Sequence, residues 1–285
     1  MKPKQDQIFS CHGQGDNSEL IATFLPENAD AAISESGVGN PCQLQILRRA
    51  PMQPMATGTE VTLCQSWPTQ HSKYPAIIVS CYTADGQAIQ CCGHGMLAAT
   101  HSWLRRLQCD ELSVTMNNSH IIGWHEQANT WLRFNRLPTK CIPVPEWIAE
   151  VFPQQQQPIA AASCGDEHGY LILQWPDKFT LKQLTRPLDC LSELSQRALI
   201  CTSAHPCVGP DAVQLRYFAP QYGVDEDPAT GSAVRVLAEY WSHRFTSLTA
   251  QQCSHQGGLL LARWTPKHID VGGRCKILET TTKND

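Results

Sequence analysis

Short apolar runs dominate the chain, and two longer segments replace them with a helical period. The first covers residues 95–107 and carries MLAATHSWL, and the second covers residues 231–243 and carries AVRVLAEYW. Apolar residues that recur every three to four positions over such a length predict α-helices. Because both segments contain few charges, we expect each helix to be buried on most of its faces.

Runs of β-branched and apolar residues predict strands on both sides of these helices. The predicted strands cover residues 60–64, 76–83, 112–116, 120–125, 131–136, 169–174, 198–202, 213–218 and 258–264. A segment rich in proline and glutamine, PVPEWIAEVFPQQQQP, interrupts them and is typical of an exposed connection, in which EWIAEVF predicts a short helix.

The second helix follows a segment with the residues of a reactive site. Residues 213–233 read VQLRYFAPQYGVDEDPATGSA, so a strand is followed by a proline, an acidic loop and small residues that begin the helix. A carboxylate such as Asp227 can transfer protons, and the free N–H groups at a helix start bind anions. Spacing alone equally allows a structural helix whose dipole Asp227 merely compensates. The candidate ligand contacts here are Thr230, Gly231 and Ser232.

The first helix begins in a similar way. Residues 75–100 read PAIIVSCYTADGQAIQCCGHGMLAAT, in which Gly93, His94 and Gly95 open the apolar segment. Two such helix starts can supply N–H groups to one ligand. His94 titrates near neutral pH and is a candidate proton carrier. Cys92 is favoured as a small buried residue, although its place before a helix start can lower a thiol pKa.

The sequence GVDEDPATGSA closely resembles the second-half signature of the PhzF-like isomerases, which have the diaminopimelate epimerase-like fold. The flanking QLRYFAP and QQCSHQGGLLLARW also match, so the resemblance covers roughly residues 160–280. It implies an α+β fold of two similar halves, each a β-sheet wrapped around a central helix. We expect an epimerase-like half at residues 1–140 and a PhzF-like half at 141–285, with the last strand able to return to the first half.

The first half resembles two groups of that fold at once. CGHGMLAA is similar to the CGHATLAA of PhzF-like proteins, whereas TADGQ and the CGxG frame are closer to the diaminopimelate epimerases, which use two cysteines as acid and base. Cys92 stands at the position of the first cysteine, but Asp227 and Pro228 stand where the second would be needed. The resemblance therefore argues against a mechanism with two thiols.

The resemblance also implies a catalytic glutamate on a first-half strand. PhzF-like enzymes carry it in a segment similar to SETTFV, about thirty residues before the histidine. TEVTLC matches that segment here and makes Glu60 the favoured general base, 94 − 60 = 34 residues before His94. In the competing alignment, IFSCHGQGDNSELIATF resembles the opening of the epimerases, Glu35 is the acidic group and Asn17 contacts the ligand.

Composition excludes several other classes of protein. The chain has 285 residues, of which 42% are hydrophobic and 17% charged, so a disordered protein is not expected. Its net charge is −4 and its basic residues are scattered, so a nucleic-acid-binding protein is not expected either. No apolar run approaches ~20 residues, and MKPKQDQ is no signal peptide, which predicts a soluble cytoplasmic protein. The 14 cysteines are dispersed, so we expect reduced thiols.

Motifs for metals and nucleotides are also absent from the sequence, which lacks CxxC, HExxH, GxGxxG and the P-loop pattern. We therefore expect a cofactor-independent isomerase, without a bound metal, that moves a proton at a carbon of a small carboxylate. Glu60 would remove the proton, and Asp227 or His94 would return one, while Gly93, Gly95, Thr230, Gly231 and Ser232 bind the substrate. The alternatives are a racemase or epimerase that uses Cys92 and a non-catalytic protein that binds small acids. The resemblance also implies a homodimer.

Overall fold

The computed structural model describes residues 17–26, 39–47, 60–67, 74–83, 86–89, 92–153, 155–187, 189–206 and 208–282. The strands are β1 (Asn17–Leu25), β2 (Asn40–Ile46), β3 (Val61–Trp67), β4 (Ala76–Tyr82), β5 (Ala88–Ile89), β6 (Glu111–Met116), β7 (Ser119–Glu126), β8 (Asn129–Asn135), β9 (Thr139–Ile142), β10 (Ala160–Cys164), β11 (Tyr170–Gln174), β12 (Ala198–Ala204), β13 (Ala212–Phe218), β14 (Ser247–Gln252), β15 (Gly258–Trp264) and β16 (His268–Thr282). The α-helices are α1 (Gly93–Leu107), α2 (Ile148–Val151), α3 (Leu191–Leu194) and α4 (Gly231–Trp241).

Helix α1 lies inside a closed ring of strands in the first half. The ring runs β1-β2-β3-β4-β6-β7-β8-β16 and closes because β16 also pairs with β1. Closure leaves this ring of strands without an unpaired edge. The helix contacts β1, β2, β6, β7 and β8, and it ends where Gln108 adopts a left-handed conformation and its N–H bonds to the carbonyl of Leu104.

Helix α4 occupies the corresponding place in the second half, against β14, β15 and β16. The sheet there continues from β16 in the order β15-β14-β13-β12-β11-β10-β9. Val234, Leu237 and Trp241 on this helix are almost completely buried. Truncation of such side chains to alanine costs about 2–5 kcal/mol, so burial of this face stabilises the whole half.

Strand β16 joins the two halves into one sheet. Its residues 268–273 pair with β8, its residues 269–272 pair with β15, and its residues 274–282 pair with β1. The last strand therefore returns to the first half, whereas the exact boundary near residue 140 stays a prediction. Among the described residues, no helix is long and apolar enough to cross a membrane.

The α+β class and the predicted strands and two main helices are confirmed, with shifted ends. Helix α1 begins at Gly93, two residues before the predicted start, and α4 ends at Trp241. The pattern missed seven strands, namely β1, β2, β5, β9, β10, β14 and β16. Among them, β9, β10 and β14 have the sequences TKCI, AAASC and SLTAQQ. Their small and polar residues carry little apolar periodicity, so pairing with neighbouring strands decides their conformation.

Candidate functional site

The N-termini of α1 and α4 touch each other where the two halves meet. A Cβ atom added to Gly93 would lie 3.1 Å from the Cα of Gly231 and 3.1 Å from the backbone nitrogen of Ser232. A Cβ on Gly231 would lie 3.4 Å from the Cα of Gly93. Glycine at both positions therefore permits this approach, which brings the positive ends of two helix dipoles and their N–H groups together.

Glu60 and His94 form an ion pair beside these helix starts. Glu60 immediately precedes β3, and its Oε1 lies 3.0 Å from Nε2 of His94 on the first turn of α1. Burial opposes ionisation of Glu60, but the hydrogen bond and charge of His94 outweigh it and lower the pKa of the Glu60 carboxyl. Glu60 is therefore ionised at neutral pH, the state that a general base requires.

The imidazole of His94 is nearly buried, with 12% of its side chain exposed. Burial alone would lower its pKa, but Cys92 and Glu60 raise it well above 6.5. We regard the Glu60 carboxylate as the decisive partner, because a neutral Cys92 thiol contributes no charge. Glu60 therefore favours the cationic form of His94, the form that can hold a negatively charged ligand group.

Cys92 is the N-cap of α1, and its Sγ accepts the N–H of Gly95 at 3.3 Å. The same sulfur lies 3.5 Å from Oε1 of Glu60 and 3.6 Å from Nδ1 of His94. A hydrogen bond with Cys81 and burial raise the pKa of Cys92 well above 9, although His94 acts in the opposite direction. Cys92 is thus a neutral capping thiol rather than a ready nucleophile or base.

Asp227 projects from the loop between β13 and α4. Its Oδ1 accepts a hydrogen bond from Nδ2 of Asn40 at 2.9 Å, and its Oδ2 accepts one from Oγ1 of Thr230 at 2.5 Å. Burial raises the pKa of the Asp227 carboxyl, while His94 and these two donors counteract the rise. The neighbouring Glu226 instead pairs with Arg216 through two bonds of 2.6 and 2.7 Å, so it anchors the loop.

Glu60, His94 and Asp227 therefore converge from three separate elements. His94 and Glu60 lie close enough to Asp227 to shift its pKa, the first downward and the second upward. The two carboxyl groups have pKa shifts of opposite sign, since that of Glu60 is lowered and that of Asp227 is raised. Such a pair supplies one group suited to take a proton and another suited to keep one.

Two residues predicted to bind substrate already have structural contacts. The N–H of Thr230 donates to Oε1 of Gln252 at 2.8 Å, and its hydroxyl donates to Asp227. The N–H of Gly95 donates to Cys92. By contrast, the N–H groups of Gly231 and Ser232 have no acceptor among the described residues, so α4 retains free donors at its start.

Packing explains the glycine at position 95. A Cβ there would lie 2.5 Å from Oγ1 of Thr62 and 2.7 Å from Sγ of Cys81. We expect Gly95→Ala to lower the free energy of unfolding by about 1–3 kcal/mol, as overpacked cores do. Denaturant unfolding measures this loss. In the control Gly209→Ala, the new methyl would meet only the Cβ of Ala212 at 3.7 Å, and equal stability of the two variants would contradict the packing argument.

The competing alignment places its residues differently. Asn17 begins β1 and pairs with Ile46, whereas Thr23, six residues further along β1, pairs with Asn40 beside the site. Six strand residues span roughly 20 Å, so Asn17 lies at the far end of the strand. Glu35 lies outside the described residues.

Within the described part of the chain, Glu60, Cys92 and His94 form the group whose ligand atoms lie close enough to hold a metal ion, all within 4.8 Å of one another. The ion pair between Glu60 and His94 and the capping role of Cys92 account for this proximity. We therefore interpret the cluster as acid–base machinery. A surface cavity of about 390 Å³ lined by Leu25, Gln127, Ala128, Asn129, Leu259, Leu261 and Arg274 contains none of these groups.

Sequence reasoning missed two residues that hold Asp227. Asn40 and Gln252 are buried and bond to the loop of residues 227–230. Both are common polar residues without a local signal of function. Only QQCSHQGGLLLARW, the segment that contains Gln252, was marked by the family resemblance.

Comparisons with known proteins show which family the chain resembles. Residues 133–270 match the family described as phenazine biosynthesis-like protein. A Vibrio cholerae protein described as an uncharacterized isomerase is 31% identical over 199 residues, which cover 68% of this chain and 67% of the relative. A Pseudomonas aeruginosa protein of the same description is 48% identical over 65 residues, which cover 22% of this chain and only 25% of that relative.

Solved structures show the same architecture. The PhzF family protein of Enterococcus faecalis superimposes with a TM-score of 0.75 at 21% identity, and the match covers 95% of this chain and 99% of that one. A hydroxyproline epimerase of Agrobacterium vitis with bound trans-4-hydroxy-L-proline gives a TM-score of 0.54 at 10% identity, covering 95% and 91% of the chains. At these identities the likeness concerns the fold, and it confirms the expected diaminopimelate epimerase-like fold.

Proposed function

The chain belongs to the PhzF-like family of phenazine biosynthesis-like proteins, and from that premise we propose that it is a cofactor-independent isomerase acting on a small carboxylate. Its relatives include proteins described as isomerases. The observation that carries the proposal is the meeting of Glu60, His94 and Asp227 at the joined starts of α1 and α4. Two carboxyl groups with opposite pKa shifts at an anion-binding position suit proton transfer at carbon.

The ligand carboxylate would bind to the helix starts. Because Gly93 and Gly231 are in contact, the ligand would lie over the two helix ends rather than between them. The N–H groups of Gly231 and Ser232, together with the His94 cation, supply positive charge there. The substrate therefore carries a carboxylate next to the carbon that reacts.

The proposed reaction moves one proton off carbon and another onto it. Glu60 takes the proton from the carbon next to the carboxylate, and the electron pair left behind delocalises toward the ligand carboxylate. The helix N–H groups stabilise that developing charge. Asp227, whose raised pKa lets it carry a proton, or His94 then protonates a different carbon or the opposite face. The product is a double-bond isomer or a stereoisomer, and proton exchange with water then returns Glu60 and the proton donor to their starting protonation states.

Solvent isotope exchange tests the proposal. The protein would be incubated in D₂O with small cyclic and amino-acid carboxylates, including trans-4-hydroxyproline, the ligand of the Agrobacterium vitis epimerase. We expect NMR to show deuterium entering a C–H position of at least one compound. Carboxylates that bind without any exchange would instead identify a protein that binds small acids. The cytoplasmic location and the homodimer remain predictions.

A racemase dependent on Cys92 is the main alternative, and one substitution separates the two mechanisms. Cys92→Ser retains a side chain that can cap α1, and the thiol pKa is already raised well above 9. We therefore expect Cys92→Ser to exchange deuterium within about tenfold of the wild-type rate, less than the loss of an acid–base group causes. Cys109→Ser, at a half-buried cysteine beyond the end of α1, is the control. Loss of exchange in Cys92→Ser alone would favour the racemase.

A further inference from the structure

Two amide side chains, those of Asn40 and Gln252, lie behind the Asp227 loop. Only 4% of Asn40 and 1% of Gln252 are exposed. A buried primary amide is costly unless its N–H and C=O groups find partners. Both amides direct hydrogen bonds into residues 227–230, which indicates a role in shaping this loop.

Backbone groups fix the orientation of the Gln252 amide. Its Oε1 accepts the N–H of Thr230 at 2.8 Å, and its Nε2 donates to the carbonyl of Asp227 at 2.6 Å. A backbone N–H only donates and a carbonyl only accepts, so the amide cannot rotate by half a turn without losing both bonds. The same Nε2 then donates to Oγ1 of Thr230 at 3.1 Å.

The direction of the next hydrogen bond follows. A hydroxyl has a single proton, and Gln252 occupies one of the acceptor positions on Oγ1 of Thr230. The Thr230 hydroxyl donates its proton to Oδ2 of Asp227 at 2.5 Å, the acceptor on its other side. As long as it makes this bond, its own proton lies between the two oxygens, so a proton on Asp227 cannot point along the same line.

Asn40 also donates a hydrogen bond to Asp227, at the other carboxyl oxygen. Its Nδ2 donates to the carbonyl of Ala229 at 2.9 Å and to Oδ1 of Asp227 at 2.9 Å. A carbonyl oxygen can only accept a hydrogen bond. The atom of the Asn40 amide that faces Ala229 and Asp227 must therefore be Nδ2. Asn40 belongs to β2, so this donor comes from the first half of the molecule.

We propose that Gln252 and Asn40 are positioning residues that make both neighbours of the Asp227 carboxyl group permanent donors. A proton carried by Asp227 then finds no acceptor on Asn40 or Thr230, and it occupies a lone pair directed away from them, where a ligand can receive it. The inference rests on the proposed role of Asp227 as a proton carrier. It adds three residues that orient this proton, so that the working unit consists of four residues from both halves: Asp227, Thr230, Gln252 and Asn40.

Other charged groups near Asp227 also influence the pKa of its carboxyl group. His94 and Glu60 act on it from the first half, and Glu226 on its own loop is paired with Arg216. The two donors favour the ionised carboxylate and partly offset burial. Removal of either donor should therefore raise the pKa of Asp227.

A carbon NMR titration of the aspartate carboxyl groups tests the proposal without any substrate. The Asp227 signal would be assigned by its absence from Asp227→Asn. We expect Thr230→Val to raise the titration midpoint by about one pH unit, since a donor to the charged form is lost. Thr230→Ser should restore the wild-type midpoint. Gln252→Met, which leaves the Thr230 hydroxyl free to turn, and Asn40→Ser should shift it in the same direction as Thr230→Val.

Gln251→Met is the matched control, because Gln251 is the exposed neighbour of Gln252 on β14 and should leave the midpoint unchanged. Gln252→Met removes three hydrogen bonds, so if it fails to fold, Thr230→Val and Asn40→Ser still decide the outcome. Folded variants with the wild-type midpoint would overturn the proposal. If wild-type protein exchanges no substrate proton, the proposed function fails, whereas the titration still reports on the hydrogen-bond directions.

When an exchanged substrate is identified, the same variants give a second readout. Positioning of Asp227 affects the transfer of the proton more than the binding of the ligand. We expect Thr230→Val and Gln252→Met to lower kcat about tenfold or more with little change in KM, as for loss of an interaction made in the transition state. A rise in KM with unchanged kcat would contradict the proposal.

Discussion

Glu60→Gln is expected to reduce deuterium exchange into the substrate by about 10²–10⁴-fold, the usual contribution of a general base. Glutamine keeps the size of the side chain and can still contact His94, but it cannot take a proton from carbon. Since 39% of the Glu60 side chain is exposed, the fold should tolerate the change. The measurement is the exchange rate by NMR, with binding of the ligand followed separately.

The control for this experiment is Glu167→Gln, because 85% of the Glu167 side chain is exposed and it lies in the turn between β10 and β11. It should exchange at the wild-type rate. If Glu60→Gln binds the ligand and retains wild-type exchange, another group is the base, and Glu35 of the competing alignment becomes the next residue to substitute.

Asp227→Asn is expected to abolish isomerisation to a similar extent, about 10²–10⁴-fold, because an amide cannot carry the returning proton. The ligand should still bind, since the N–H groups of Gly231 and Ser232 remain. Product formation and ligand binding are measured on the same preparation. Asp166→Asn, in the turn after β10, is the control, and a fully active Asp227→Asn would remove Asp227 from the mechanism.

The same substitution gives a pH-dependent effect on stability. Because folding raises the pKa of Asp227 above 3.8, the folded state binds this proton more tightly than the unfolded state. The stabilisation is present below pH 3.8 and is lost as pH rises through the folded pKa. Wild type should therefore lose stability relative to Asp227→Asn over that range, by about 1.4 kcal/mol for each unit of the shift. A difference in unfolding free energy that is constant from pH 4 to pH 7 would contradict this.

Local patterns were sufficient for the two helices that form the site. The apolar period of MLAATHSWL and AVRVLAEYW and the small residues before each segment located α1 and α4 to within two residues. Helix periodicity and start signals depend on neighbours in sequence, so they can be recognised without knowledge of the fold. The polar strands β9, β10 and β14 lack such a signal, because their small and polar residues carry little apolar periodicity.

The contacts of the two acidic loop residues could not be predicted from the local sequence. Glu226 and Asp227 are adjacent in the sequence, yet Glu226 pairs with Arg216 and Asp227 faces Asn40 and Thr230. Alternation of side chains along an extended loop allows opposite directions but does not say which direction meets the ligand. That assignment requires the position of the first half.

The sequence by itself determined the two main helices, nine of the strands, the two glycine-rich helix starts and the acidic loop, because each depends on residues close together along the chain. Only the tertiary structure brought Glu60 to His94 and Asn40 to Asp227, the latter across 187 residues. These contacts depend on the closure of the first sheet and on the contact between Gly93 and Gly231. Burial and neighbouring charges then set the protonation of each group, and neither can be read from one segment alone.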